Sequence, residues 1–226
     1  MSLYFILLIF TGIVPLSLSF DKRMQFYKQW KYVLPSIVIV AVVFIAFDIY
    51  FTKQGYWGFN ARYLSGVNLL HLPLEECLFF VFVPYASIFL HETFREYFPN
   101  MALRKRISDS IIYMLIVAGV LLAVLNVDKS YTLYIFTKFV FVLILAIMTD
   151  SKVIRSFLLT FFVILIPFLI VNGILTGSFI NEEVVWYNNA ENLGIRIFTI
   201  PVEDFIYAFT LIYLNLFLIE QLKKRY

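Results

Sequence analysis

Two pairs of adjacent carboxylic acids in this 226-residue chain each follow a proline by two positions. The two copies read Pro73-Leu74-Glu75-Glu76 and Pro201-Val202-Glu203-Asp204. Two carboxyl groups buried side by side do not both ionise easily, so one is expected to keep its proton while its neighbour is an anion. A pair in these two states can donate and accept a proton within one site. We therefore predict that these four acids are catalytic.

Helix capping is the alternative interpretation of each acidic pair. Proline is tolerated in the first turn of a helix, because its missing N–H would have no partner there. Carboxylates in the same turn gain about 0.3–1 kcal/mol from the helix dipole. Capping would explain one copy of the motif. Two copies at membrane depth favour a function, because ionisable groups are costly in a bilayer.

Aromatic residues near both acidic pairs predict a binding site for a hydrophobic substrate. Phe79 and Phe80 follow the first pair by one helical turn, and Tyr207 follows the second in the same way. Aromatic faces stabilise a desolvated cation by about 2 kcal/mol or more, which suits a reaction through a carbocation. The predicted substrate-binding residues are Trp57, Phe79, Phe80, Trp186, Tyr207, Asn60, Asn189 and Asp48.

Several polar residues have structural interpretations as well. Asn60 and Asn189 could orient the acids or only shape their loops. Asp48 could act in the site or form a hydrogen bond between helices. Lys138 falls in the middle of an apolar run, where a long side chain can reach the interface by snorkelling.

The composition is that of an integral membrane protein. Hydrophobic residues make up 62% of the chain and charged residues only 15%, against about 45–50% and about 25% in soluble domains. A spanning helix needs about 20 mostly apolar residues. The sequence predicts an all-α protein with seven transmembrane helices, at 1–20, 33–51, 73–91, 109–126, 132–148, 156–172 and 200–219.

The basic residues predict an orientation in the cell membrane. Thirteen of the 18 Lys and Arg follow the first, third and fifth predicted spans or close the chain. The loops on the other side hold only Lys53, Arg62, Lys129 and Arg196. By the positive-inside rule, the N-terminus is outside and the C-terminus is cytoplasmic.

An internal repeat relates the two acidic motifs. A shift of 128 residues aligns both motifs, while Trp57 and Asn60 align with Trp186 and Asn189 at a shift of 129. We predict a first three-helix repeat at 1–92, a connecting segment with the fourth helix at 93–131, and a second repeat at 132–226. One odd helix between three-helix units makes the two repeats parallel.

These motifs resemble the membrane lycopene cyclase family, in which a three-helix domain with a Pro-x-Glu-Glu motif occurs as two subunits or as a fused tandem. The likeness covers nearly the whole chain and matches the fused form. The resemblance implies acid-catalysed, redox-neutral ring closure of lycopene, through γ-carotene, to β-carotene. Glu75, Glu76, Glu203 and Asp204 are the acid–base candidates it carries over, and which of them protonates the substrate stays open.

The sequence also limits cofactors and leaves some alternatives open. It contains no Gly-x-Gly-x-x-Gly dinucleotide fingerprint, and we expect no cofactor, metal or nucleic-acid partner, only a carotenoid and the lipid bilayer. A retinal-binding protein would need a lysine within the last span, and none precedes Lys223 there. The alternatives are a proton-coupled transporter, and a cyclase that acts on C50 carotenoids or makes ε rings.

Overall fold

The computed structural model describes residues 2–225 and consists mainly of seven α-helices. Six of them are long and apolar enough to cross a membrane, and the first is a shorter apolar helix. The predicted seven-helix membrane fold is therefore confirmed. The helices are α1 (Leu3–Leu18), α2 (Trp30–Gln54), α3 (Leu74–Tyr97), α4 (Lys105–Leu125), α5 (Ser130–Met148), α6 (Val153–Leu175) and α7 (Val202–Arg225).

The first helix differs most from its predicted span. It covers 16 residues, or about 24 Å at 1.5 Å per residue, which is less than the roughly 30 Å of bilayer hydrocarbon. Ser2 caps its first turn by accepting a hydrogen bond from the Phe5 N–H at 3.1 Å. At its other end the Ser19 hydroxyl bonds to the Pro15 carbonyl at 2.6 Å, and the chain then turns.

Short strands fill the long loops at one end of the bundle, which we call the hairpin end. Each repeat has a two-residue hairpin directly before its acidic motif, and the two hairpins pair residues that differ by 128 throughout. The opposite end carries most of the basic residues and is called the basic end. The strands are β1 (Trp57–Phe59), β2 (Asn68–Leu69), β3 (Leu72–Pro73), β4 (Val185–Tyr187), β5 (Arg196–Ile197) and β6 (Ile200–Pro201).

Strands β1 and β4 join the two repeats in an antiparallel ribbon. Gly58 lies opposite Trp186 at the centre, and Trp57 lies opposite Tyr187. The register is the one a twofold axis gives when it relates residues 128 apart. Because the same loop of each repeat meets the other at the hairpin end, both repeats cross the membrane in the same direction. The predicted parallel repeats are confirmed.

The ribbon corrects one detail of the sequence alignment. A shift of 129 residues pairs Trp57 with Trp186, but the observed register makes Trp57 equivalent to Val185. The two tryptophans lie in different places: Trp57 is buried, and Trp186 is 40% exposed. The shared Trp-x-x-Asn-Ala letters are therefore offset by one residue from the structural repeat.

Helices α3 and α7 form the centre of the bundle and carry the acidic motifs. Helix α3 packs against α1 and α2, and α7 packs against α5 and α6. The two halves also exchange contacts, because α2 packs on α7 and α6 packs on α3. The fourth helix lies outside this arrangement, against α5. Both acidic pairs consequently begin helices that are surrounded by protein at their hairpin ends.

Candidate active site

A single large cavity of about 770 Å³ lies between α1, α3, α6 and α7. Its volume is within the range of about 300–1,000 Å³ that is usual for ligand pockets. Three carboxyl groups line it, those of Asp48, Glu76 and Asp204, which we call the acid cluster. Nearly all the remaining lining is aliphatic or aromatic. The cavity therefore suits a long apolar molecule with its reactive part near the acids.

The cavity runs from the hairpin end towards the basic end. Its lining includes Glu76 and Thr93 on α3, which are about 25 Å apart at 1.5 Å per helical residue. It opens sideways between α1 and α6, because Phe10 and Ile166 line it and are yet 70% and 62% exposed. A substrate dissolved in the bilayer can reach the acid cluster by this route.

Only the second acid of each pair faces the cavity. Adjacent residues of an α-helix point about 100° apart, so the first acid of each pair faces its own loop. Glu75 Oε1 accepts hydrogen bonds from the Ser2 hydroxyl at 2.7 Å and the Ser65 N–H at 2.6 Å. Glu75 is fully buried but does not line the cavity.

Glu203 repeats this arrangement. Its Oε1 accepts from the Thr132 hydroxyl at 2.6 Å and the Leu193 N–H at 2.8 Å. Ser65 and Leu193 are 128 residues apart, so equivalent loop amides hold the two glutamates. Of the four acids predicted to be catalytic, the structure thus brings two into the cavity and places the other two as loop anchors.

Glu76 and Asp48 form the first half of the acid cluster. The Tyr4 hydroxyl donates to Glu76 Oε2 at 2.6 Å. The Asp48 and Glu76 carboxyl groups are in hydrogen-bonding contact with each other, which requires a proton on one of them. Tyr207 donates to Asp48 Oδ1 at 3.3 Å. Helices α1, α2, α3 and α7 thus all contribute to this half.

Asp204 forms the second half and is held by three donors. Tyr131 donates to its Oδ1 at 2.8 Å, and Tyr187 and Asn172 donate to its Oδ2 at 2.8 and 3.0 Å. Burial, followed by the neighbouring Asp204 carboxylate, raises the pKa of the Tyr187 hydroxyl well above its ordinary value. The hydroxyl is therefore a neutral donor. Three donors to one carboxyl group favour its ionised form relative to Glu76.

The predicted substrate-binding residues separate into two groups. Trp57, Phe79, Tyr207 and Asp48 line the cavity. Phe80 is buried behind it, with its ring centroid 6.1 Å from that of Phe44.

Three other predicted residues lie outside the cavity. The Trp186 indole covers Gly58, where a Cβ would meet it at 2.3 Å. Asn60 donates to Glu182 at 3.0 Å, and Asn189 accepts from Arg196 at 3.0 Å. Neither asparagine forms a hydrogen bond with the acid cluster among the described residues, and both shape their own loops.

The sequence comparison missed two tyrosines that bind the acids. Tyr4 and Tyr131 begin the first helix of each repeat and contact Glu76 and Asp204. The signal was weak because the order is reversed: in the first repeat the hydroxyl that binds the loop glutamate precedes the tyrosine, and in the second it follows. A shift of 128 therefore aligns Tyr4 with Thr132 and hides the equivalence.

The twofold-related position of the cavity, between α5 and α2, is filled by side chains. A shift of 128 places Lys138 where Phe10 lines the cavity. The Tyr134 ring lies 4.9 Å from Phe47, and the Lys138 ammonium lies 4.0 Å from the centre of the Phe44 ring. The acidic motifs are duplicated, but they supply one shared cavity.

Comparison with known proteins identifies the family. The family model described as lycopene cyclase matches residues 1–94 and 128–222, one segment for each repeat. The chain belongs to the lycopene cyclase family. It is accordingly a carotenoid cyclase of the membrane, and the two-part match fits a fused tandem of cyclase domains. No curated protein and no solved structure matches the chain.

The anchoring of Glu203 generates a prediction about stability. Glu203→Gln keeps an acceptor oxygen for Thr132 and Leu193, whereas Glu203→Ala leaves two buried donors without a partner. We expect the alanine variant to lose about 1–3 kcal/mol of unfolding free energy and the glutamine variant to lose less than half of that. Thermal unfolding in detergent measures both, and equal melting temperatures for the two variants would contradict the anchoring role.

Proposed function

We propose that this carotenoid cyclase is a lycopene β-cyclase, an intramolecular isomerase that converts lycopene through γ-carotene to β-carotene. The observation that supports this most is the placement of Glu76 and Asp204 in one apolar cavity. The positions of the basic residues support a place in the cell membrane with the hairpin end outside and the C-terminus in the cytoplasm.

In the proposed mechanism Glu76 is the acid and Asp204 is the base. Glu76 gives its proton to the terminal double bond of the polyene, which leaves a tertiary carbocation. The next double bond attacks this cation, so that one carbon–carbon bond forms and the ring closes with the positive charge on a ring carbon. Asp204 then takes a proton from the neighbouring ring carbon. One proton is added and one is lost, so the reaction is redox-neutral.

Hydrogen bonding supports this division of roles. Asp204 accepts from three donors, whereas Glu76 accepts from Tyr4 and shares a proton with Asp48. The anion is therefore better stabilised on Asp204 and the proton is better retained on Glu76.

Aromatic side chains would protect the cation during ring closure. Trp57, Phe79 and Tyr207 line the cavity beside the acids. Their faces stabilise positive charge, and in the apolar cavity they keep water from trapping the cation. Trp57 is fixed by the Tyr131 ring, whose centroid is 5.1 Å away, so the same tyrosine that binds Asp204 also positions this wall.

The single cavity implies that the two rings close one after the other. The twofold-related groove is filled, so both ends of the substrate must use the same acid cluster. After the first closure, the monocyclic product has its ring at the acids and its open end away from them. We infer that it leaves through the opening between α1 and α6 and returns with the other end first.

Pigment analysis tests the proposed activity. The chain is expressed in bacteria that accumulate lycopene, and the extracted carotenoids are separated and identified by their absorption spectra. We expect β-carotene. Unchanged lycopene in the presence of well-expressed protein would refute cyclisation of this substrate. An ε-ring product, arrest after one ring, or activity on C50 carotenoids alone would each refute the β-cyclase assignment in its own way.

Substitution of the cavity acids tests the mechanism. Glu76→Gln and Asp204→Asn remove the proposed acid and base while nearly preserving size. General acid–base catalysis is worth about 10²–10⁴-fold, so we expect each variant to lose at least 100-fold in the rate of ring formation. Glu92→Gln, at the basic end near Lys223, is the matched control and should cyclise at the wild-type rate. Activity within threefold of wild type in either cavity variant would disprove its role.

The time course of the products tests the single cavity. Purified protein in lipid vesicles with lycopene should form γ-carotene first as a free intermediate, and this intermediate should exchange with added unlabelled γ-carotene when the lycopene is isotopically labelled. Two sites acting on one bound molecule would give labelled β-carotene without dilution. Undiluted label would therefore contradict release between the two closures.

A further inference from the structure

Lys138 carries a buried positive charge that the proposed mechanism does not use. It lies eight residues into α5, about 12 Å from the start of the helix at 1.5 Å per residue. Its Nζ is buried, and among residues 2–225 this atom has no hydrogen-bond partner. Three aromatic rings surround it instead, with centroids 4.0, 4.2 and 4.8 Å away in Phe44, Tyr207 and Tyr134.

This placement differs from that of a snorkelling lysine. A snorkelling side chain carries its ammonium group to water at the end of the span. The Lys138 ammonium stays inside the bundle, between α2, α5 and α7, and takes cation–π contacts in place of water. A charge kept at such a position is expected to serve a buried partner.

Asp48 is the carboxyl group that interacts with this ammonium. Tyr207 connects the two residues: the ammonium lies over its ring, and its hydroxyl donates to Asp48 Oδ1 at 3.3 Å. The electrostatic attraction between Lys138 and Asp48 is mutual. On its other side Asp48 contacts Glu76, so the lysine acts on the proposed acid through one intermediate carboxyl group.

The charges of the acid cluster require an arrangement of protons. Three carboxyl groups line the cavity, and no Lys or Arg does. A buried anion needs a partner of opposite charge or several donors. Asp204 has three donors, Asp48 has the nearby Lys138, and Glu76 has neither. The proton that Asp48 and Glu76 share is therefore most stable on Glu76.

We propose that Lys138 is a positioning residue for ring closure: its ammonium keeps Asp48 ionised and so holds the shared proton on Glu76, where it faces the substrate. This proposal rests on the proposed function for its consequence in catalysis. Its statement about the proton concerns the protein alone and can be tested without a substrate.

Kinetics test the effect of Lys138 on the reaction. Lys138→Met retains the length of the side chain and removes its charge, so the proton distributes between Asp48 and Glu76. We expect kcat to fall at least tenfold while KM for lycopene changes less than twofold. Lys129→Met, one position before the same helix, is the matched control and should retain the wild-type kcat.

The double variant separates a charge effect from a packing effect. In Lys138→Met/Asp48→Asn the asparagine cannot hold the proton, which must return to Glu76. We expect the double variant to be at least threefold more active than Lys138→Met alone. A double variant no more active than the single variant would overturn the proposal, because a packing defect at Lys138 would not be repaired by Asp48→Asn.

Infrared spectroscopy tests the proton position independently of any substrate. The carbonyl stretch of a protonated carboxyl group disappears when its residue is replaced by the amide, so Glu76→Gln identifies the Glu76 band in the wild type. In Lys138→Met we expect this band to lose intensity to a new band that Asp48→Asn removes. An unchanged spectrum in folded Lys138→Met would overturn the proposal even if lycopene is cyclised.

Asp48→Asn alone provides a second test in case Lys138→Met does not fold. The Glu76 band should persist in this variant, because its proton has no other carboxyl group to occupy. Loss of the band would overturn the proposal. If the proposed function fails and wild-type protein leaves lycopene unchanged, these infrared outcomes still decide where the proton lies.

Discussion

Carboxyl groups inside a membrane protein must be supplied with hydrogen-bond donors, and this requirement organises the hairpin end of the bundle. An unpartnered buried carboxylate costs several kcal/mol, and there are four in the two acidic motifs alone. The protein meets the need in two ways. Loop amides and hydroxyl groups anchor Glu75 and Glu203, while tyrosines bind Glu76 and Asp204. The loops, the first helices and the central helices are therefore held together by the acids that also form the proposed site.

A protein built from two repeats has two ways to use a duplicated motif. It can make two equal sites, or it can bring both motifs to one site near the twofold axis. Here Glu76 and Asp204 face one cavity, and the related groove is filled by Tyr134, Lys138 and their aromatic neighbours. The two acids have different hydrogen-bond partners as a result, and only that difference allows one of them to be an acid while the other is a base.

The fold and the location of the acids followed from the sequence, but their division of labour did not. Apolar runs and shared letters were sufficient for seven helices and parallel repeats, because bilayer thickness constrains both. Which acid of each pair faces the cavity depends on helix rotation, which a motif of adjacent acids does not specify. Tyr4 and Tyr131 were missed because their order relative to Ser2 and Thr132 is reversed. The tryptophan match was misleading, because one residue of register in a strand turns a side chain to the other face.

The β1–β4 ribbon has a consequence for how the two halves recognise each other. At the twofold axis Gly58 receives the Trp186 indole, and a Cβ at residue 58 would lie 2.3 Å from that ring. If either half paired with a copy of itself, the axis would bring glycine opposite glycine, leaving a gap, or tryptophan opposite tryptophan, producing a collision. The contact is complementary only between unlike halves. A single side chain thus makes self-association of either repeat unfavourable, and the covalent fusion joins two units that were already shaped for one another.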